Sequence, residues 1–389
     1  MTEVVKSKIA YFDNAATTFV KPKKVHDFMH EFYSSYSTNI GRGEHYLQQD
    51  GVKIISQTRQ MLLDLFHANS NYVAVLTSTA TEAINTILQG HDYDNGKIVY
   101  ISPFEHNAVY RTVKYLEESR GIVVKQLVVD KTTLQFDIDG IRSQFESNKP
   151  YMTICSHVSN VCGNISPIDK IGKIANEYGS IFVVDAAQSA GVLDIDIVNC
   201  YADYIVWAGH KTLYGSFGCS GFVCKKSINI RPLIYGGIGI DSANNYMPTQ
   251  PPSRFEAGSY NIMSISGLYE ALNWRNQIGK QDILYKEQQN YNNMLSILLS
   301  FDNIRIIGNQ TNSISIISCV FDNLPIDMMG QVLSRNGVIV RTGLHCAPLA
   351  HKFLSTFPSG TVRFSTSYFN NNDDFDILKK ALEVINSSI

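Results

Sequence analysis

The stretch from residue 151 to 185 limits the fold more than any other, because it reads as strand, helix, strand. Tyr151-Met152-Thr153-Ile154-Cys155-Ser156 is a short apolar run, and Ile168, Ile171, Ile174, Ala175 and Tyr178 then recur at helical spacing. Gly179 stops that helix, and Ile181-Phe182-Val183-Val184 is a second apolar run. This is a βαβ unit. Comparable runs at 72–77, 97–102, 122–129 and 203–208, separated by helical segments, repeat it. The expected fold class is α/β, a mostly parallel sheet with helices on both faces.

The pattern changes beyond Gly221-Phe222-Val223-Cys224. Residues 241–253 hold Pro248, Pro251 and Pro252 and read as a long loop suited to a lid or a subunit contact. Helices over about 264–277 and 281–300 follow. A β-rich segment at 313–321, a helix over Asp327–Arg335, strands at 338–340 and 361–365 and a terminal helix then suggest a smaller α+β domain. The opening strand near Ile9–Phe12 precedes a polar turn, Pro22 and a helix. The expected division is 20–280 for a large domain, with 1–19 and 281–389 for the small one.

Charge is balanced, at −2 with a pI near 6.5, and no Lys/Arg-rich block occurs. Nucleic acid and anionic membrane surfaces are therefore not expected partners. Met1–Lys8 has no apolar core of a leader and no run of about 18 apolar residues occurs, so a cytoplasmic enzyme of small molecules is expected. Seven cysteines without a C-x-x-C pair indicate neither a disulfide framework nor a zinc knuckle.

Two apolar runs end in charge: Ile181–Val184 delivers Asp185, and Tyr204–Ala208 delivers His210 and Lys211. In a parallel sheet both would sit at the carboxyl edge, where such folds bind ligands. Lys211 is either a side chain reaching back to water or a desolvated amine that reacts with an aldehyde cofactor. Asp185 is either a helix cap or an acid against a cofactor's ring nitrogen. Strand 72–77 feeds Ser78-Thr79-Ala80-Thr81-Glu82 into a helix, which serves as a hydroxyl cap or as a site for one phosphate monoester. No nucleotide-binding glycine motif is present; Gly237-Ile238-Gly239 lacks the third glycine. Asn39–His45 places Arg42 and His45 in a glycine-flanked loop, at a cleft or on the surface. Arg341-Thr342-Gly343-Leu344-His345-Cys346-Ala347-Pro348 sets a cysteine in electropositive company, as a reactive thiolate or a structural residue.

Taken together, these words resemble the class V aminotransferase family of fold type I, pyridoxal-phosphate-dependent enzymes, specifically the cysteine desulfurases and selenocysteine lyases with a short cysteine loop. The matching stretches are Tyr11–Thr18, Thr81–Asn85, Glu105-His106, Ser159–Val161 with Gly163, Asp185–Gln188, Gly209–Lys211, Arg254–Gly258, Arg341–Ala347 and Val362–Ser365. The resemblance implies that Lys211 holds pyridoxal phosphate, Asp185 meets its ring nitrogen, His106 stacks on the ring and Gln188 reaches its phenolic oxygen. The phosphate would lie on His210, the Ala80/Thr81 turn and Ser259 of the partner subunit in a homodimer. Arg363 would clamp the carboxylate of L-cysteine, with Asn160, Arg341 and Asn14 among the substrate-binding positions. Cys346 would take the sulfur as a persulfide for an acceptor protein and release alanine. Selenocysteine cleavage, another β-elimination, or a silent binding protein on the same scaffold are the alternatives. Three positions depart from the family pattern: Ala208 and Ala80 where hydroxyl residues are usual, and Ser259 in place of Thr. The 237–254 loop is also shorter than in well-studied sulfur-mobilising members.

Overall fold

The computed structural model describes residues 9–36, 40, 46–239, 243–322 and 324–387, without the side chains of 46–48. The N-terminal octapeptide, all of the 39–45 loop except Ile40, and the first two residues of the 241–253 loop lie outside them. In chain order, β1 (Ala10–Tyr11), α1 (Lys23–Tyr36) and α2 (Tyr46–Leu65) come first. Next are β2 (Tyr72–Thr77), α3 (Ala80–Gly90), β3 (Ile98–Ile101), α4 (Asn107–Arg120), β4 (Val123–Gln126) and α5 (Ile138–Ser147). They lead to β5 (Pro150–Ser156), α6 (Ile168–Glu177), β6 (Ile181–Asp185), β7 (Tyr204–Ala208) and β8 (Ser220–Lys225). The remainder is α7 (Ile262–Ile278), α8 (Lys280–Leu299), β9 (Ile304–Ile307), β10 (Ile316–Phe321), α9 (Ile326–Arg335), β11 (Val338–Ile339), β12 (Arg341–Gly343), α10 (Pro348–Phe353), β13 (Thr361–Ser365) and α11 (Asn372–Asn386).

A seven-stranded sheet has the order β2-β8-β7-β6-β5-β3-β4. The strands from β7 to β4 are parallel, while β8 runs antiparallel to both its neighbours. Its central strands β5, β6 and β7 are almost wholly buried and mainly apolar because both faces are covered. On β7, Ile205 and Trp207 join one core while Tyr204 and Val206 join the other, as side chains alternating across a strand require. The helical stripe on α6 buries Ile168, Ile171, Ile174 and Ala175 against this sheet.

A second sheet, β12-β13-β10-β9, is antiparallel and shares a core with α11 through Phe12, Phe364, Phe375 and Leu378. The strand anticipated at 338–340 is β11, paired with β1, and the chain then continues into a separate strand, β12, paired with β13. The run at 122–129 likewise shortens to the edge strand β4, with Val129 bridging to Phe136 instead. Among the described residues no helix is long and apolar enough to cross a membrane, and no cluster of His, Cys, Asp and Glu is arranged to hold a metal.

Candidate active site

At the carboxyl edge of the large sheet, the ends of β5, β6 and β7 open into a cavity of about 270 Å³ lined by Asp185, Lys211, His106, Gln188 and Arg363. The turn that brings Lys211 there depends on Gly209, since a Cβ at that residue would lie 2.2 Å from the Cys219 carbonyl oxygen. Its amine finds no hydrogen-bond partner among the described residues, and Lys211 lines the cavity. Burial pulls its pKa down to about 8, against the attraction of Asp185. Asp185 lines the same cavity, its Oδ1 accepting from Ala187 N at 2.9 Å. Burial raises this carboxyl above the usual range, with Lys211 working against the shift. Desolvation thus drives both groups toward neutrality, leaving an amine without a hydrogen-bond partner and an acid without an ion-pair partner in one cavity.

His106 caps the N-terminus of α4, and its Nδ1 accepts from Ala108 N at 3.0 Å, which leaves the ring proton on Nε2. Burial first, then the charges of Lys211 and Arg341, hold its pKa down to about 3, so the imidazole is neutral at ordinary pH. Gln188 anchors its Nε2 on Ala15 O at 2.8 Å. At another wall, α3 begins with Thr79 as its cap, accepting from Glu82 N at 3.0 Å, and Ala80 and Thr81 face the cavity. A helix N-terminus of this kind favours an anion through unpaired N–H groups and the helix dipole. His210 lies nearby, its Nδ1 3.1 Å from Thr17 Oγ1 and its ring stacked on Phe217. Ala208 also lines the cavity and supplies no hydroxyl there.

Arg363 is nearly inaccessible to solvent, and its fork is already engaged: Nη1 donates to Asn160 O at 2.9 Å and Nη2 to Asp13 Oδ1 at 2.7 Å. A buried guanidinium needs such compensation. These two bonds use two of the five guanidinium N–H groups, so the fork keeps donors for a carboxylate. Two orphaned atoms remain beside it, Arg363 Nε and Asn160 Oδ1. Asn160 Nδ2 donates to His345 O at 2.7 Å.

Cys346 sits between β12 and α10, and both it and His345 adopt left-handed backbone angles, φ 57° and 46°. For side-chain-bearing residues that geometry is strained. Arg341 Nη2 lies 3.4 Å from Cys346 Sγ, and Asn107 N donates to Cys346 O at 2.7 Å. The thiol lines an open cleft of about 570 Å³ adjoining the inner cavity, and Thr81, His106 and Ala108 border both spaces.

Two anticipated residues stand elsewhere. Asn14 turns away from the cavity; its Nδ2 donates to Ser365 O at 2.9 Å and ties the first strand to β13, while Ala15 and Ala16 form the cavity wall. Ser259 lines a separate pocket with Glu256 and Tyr260, and does not reach the Lys211 cavity of its own chain. Conversely, Asp13, Ser156 and His345 belong to the site's surroundings without having been singled out for a role. Asp13 and His345 lie inside the quoted stretches, but which of two adjacent polar residues faces inward depends on pairings such as the Asp13–Ser365 bridge.

The model of the aminotransferase class-V family matches residues 10–378 of this chain. A probable cysteine desulfurase of Methanothermobacter thermautotrophicus is 29% identical over 381 residues, covering 96% of this chain and 94% of the relative. One from Halalkalibacterium halodurans is 30% identical over 388 residues, covering 98% and 94%. Among solved structures, the apo cysteine desulfurase of Thermococcus onnurineus NA1 superposes with a TM-score of 0.90 at 27% identity, covering 98% of this chain and 95% of that one. The fold, the order of its parts and these likenesses agree, and the chain belongs to the class-V aminotransferase family, in its cysteine desulfurase group.

Proposed function

We propose that this protein is a homodimeric, pyridoxal-phosphate-dependent cysteine desulfurase that converts L-cysteine to L-alanine and leaves the sulfur on Cys346 for an acceptor protein. One observation carries the reading: an unpaired amine and an acid line a single cavity, and a thiol lines the adjoining cleft, with His106 bordering both. The residues fit the cofactor, which presents an aldehyde, a basic ring nitrogen and one phosphate. Lys211 suits the first, Asp185 the second, and the α3 N-terminus with His210 the third. When bound, pyridoxal phosphate supplies an electron sink that loosens the bonds at the substrate's Cα and Cβ.

The remaining chemistry belongs to the chain. Lys211, with its depressed pKa, accepts and returns a proton at Nζ near neutral pH. The neutral His106 ring, with its proton on Nε2, would flank the cofactor. Arg363 and Asn160 orient the substrate carboxylate. The Cys346 thiolate, beside the Arg341 guanidinium, attacks the substrate sulfur: the Sγ–S bond forms, the Cβ–S bond breaks with its electron pair on carbon, and protonation of Cβ gives alanine.

Dimerisation is supported by the position of Ser259 outside its own chain's cavity, and by exposed Phe217 and Tyr235, 62% and 66% accessible in the single chain. The antiparallel sheet that carries β12, and the β1–β11 pair, support the division into 20–280 and a small domain of 1–19 with 281–389. Seven unpaired cysteines suit a reducing cytoplasm.

Absorbance and alanine release test the reading together. Protein incubated with pyridoxal phosphate is expected to show a near-ultraviolet to visible band and to release alanine from cysteine. Cys346→Ala should keep the band and lose desulfuration, and Lys211→Ala should lose the band. Cysteine turnover by Cys346→Ala at the wild-type rate would contradict the persulfide route, and a parallel assay with selenocysteine would then show whether that is the preferred substrate.

A further inference from the structure

One buried charge has no part in this chemistry. Glu105 is fully inaccessible to solvent and has no cationic partner among the described residues. A carboxyl in that position is costly unless donors surround it. Ser102 Oγ and Ser156 N donate to Oε1 at 2.5 and 2.7 Å, and Ser156 Oγ donates to Oε2 at 2.9 Å. Ser102 Oγ itself accepts from Phe104 N at 3.2 Å, so its proton is committed to Glu105. Burial lifts this carboxyl to about 7, a nearby Asp185 adds to the rise, and the serine hydrogen bonds oppose it.

The placement of those donors gives the side chain a role. Ser102 follows β3, Ser156 ends β5, and the register sets Ser156 opposite Asp185 on β6. His157 N, one residue on, donates to Asp185 O at 2.9 Å. On the other side, Glu105 directly precedes His106, the α4 cap that forms the cavity wall. A single carboxyl therefore joins the turn that presents the imidazole to the strand end that registers with the acid.

We infer that Glu105 is a positioning residue for the reaction: by tying the ends of β3 and β5, it fixes the His106 ring relative to the Asp185 carboxyl and so holds the cofactor ring between them in one orientation. This rests on the pyridoxal-phosphate reading above. The test compares Glu105→Gln with Glu105→Ala in cofactor-loaded protein. A glutamine keeps the ties, its carboxamide oxygen accepting from Ser102 and Ser156 N while its NH2 donates to Ser156 Oγ. Alanine removes them all.

The readouts are the visible circular dichroism of the bound cofactor, which reports its orientation, and kcat against KM. Glu105→Gln should preserve the band and stay within a few fold of wild-type kcat. Glu105→Ala should weaken the band and lower kcat by about 10- to 100-fold, with KM changing less. Should the alanine variant not fold, Ser102→Ala removes one tie and should weaken the same band to a smaller degree. Two results overturn the inference: a native band and kcat in the alanine variants with only a lower melting temperature, or a glutamine variant as impaired as alanine. Wild-type protein with a strong band but no alanine release would refute the desulfurase reading, while the band comparison would still decide this inference.

Discussion

What surrounds Lys211 sets how much of its amine is neutral. An ordinary lysine has a pKa near 10.4, so at pH 7 only a few molecules in ten thousand are neutral; at about 8 the neutral share is roughly one in ten. Since the folded protein depresses this pKa, capture of pyridoxal phosphate by the apo protein should accelerate as pH rises through about 8 and level off above it. Stopped-flow absorbance would measure this, and a midpoint near 10 would mean that the amine is solvated. Ala208 offers a second test at this scale. Adding the missing hydroxyl as Ala208→Ser should tighten cofactor binding by about 2- to 10-fold in equilibrium dialysis, the worth of one neutral hydrogen bond. Lys211 and Asp185 were legible in the sequence because each ends an apolar run, and strand ends collect at one edge. Asn14 was not: it and Asp13 are adjacent and polar, and only the pairing with β13 turns Asp13 to Arg363 and Asn14 to the backbone.

The antiparallel β12–β13 pair links Arg341, the cysteine loop and Arg363. Gly360 precedes β13 with φ +83°, and a Cβ there would lie 2.1 Å from Gly343 O. Gly360→Ala should therefore destabilise the protein by about 1–3 kcal/mol, seen as a lower urea midpoint. Desulfuration should fall further than cofactor uptake, because Lys211 and Asp185 lie on the other sheet; equal loss of both would place the damage elsewhere. The long apolar strands and the α6 stripe could be read from sequence because burial on one or both faces leaves a period. Helix α5 buries only Ile141 and Phe145, too little for a stripe, and depends on Asp137 accepting from Gly140 N. Helix α2, which packs against α7, was missed as well, with Gly51 and the polar residues Gln48, Gln49 and Asp50 interrupting its apolar pattern. The split of 338–343 between two sheets has no local signal, since both pieces are extended.

Across the whole molecule, the turn after Lys211 is bound to the small sheet through one buried acid. Tyr214 Oη donates to Glu287 Oε1 at 2.7 Å, and Ser315 Oγ donates to Oε2 at 2.9 Å. Burial raises the Glu287 pKa to about 7, from about 4.5 when exposed. The folded state therefore favours the protonated acid, and its stability falls as pH rises from about 4.5 to 7, by up to about 3 kcal/mol. Glu287→Gln removes this titration, so its advantage over wild type in denaturant unfolding should grow across that interval and then stay constant. A difference independent of pH would show that the acid is ionised throughout. The order of the large sheet is another property of the whole: β8 enters antiparallel between β2 and β7, and no residue pattern within β8 announces it. The most direct test of the central claim is peptide mass analysis of cofactor-loaded protein after L-cysteine is added without reductant. The Cys346 peptide should gain one sulfur atom as an equal amount of alanine appears, whereas alanine formed with the sulfur on no cysteine, or on a different one, would contradict the account.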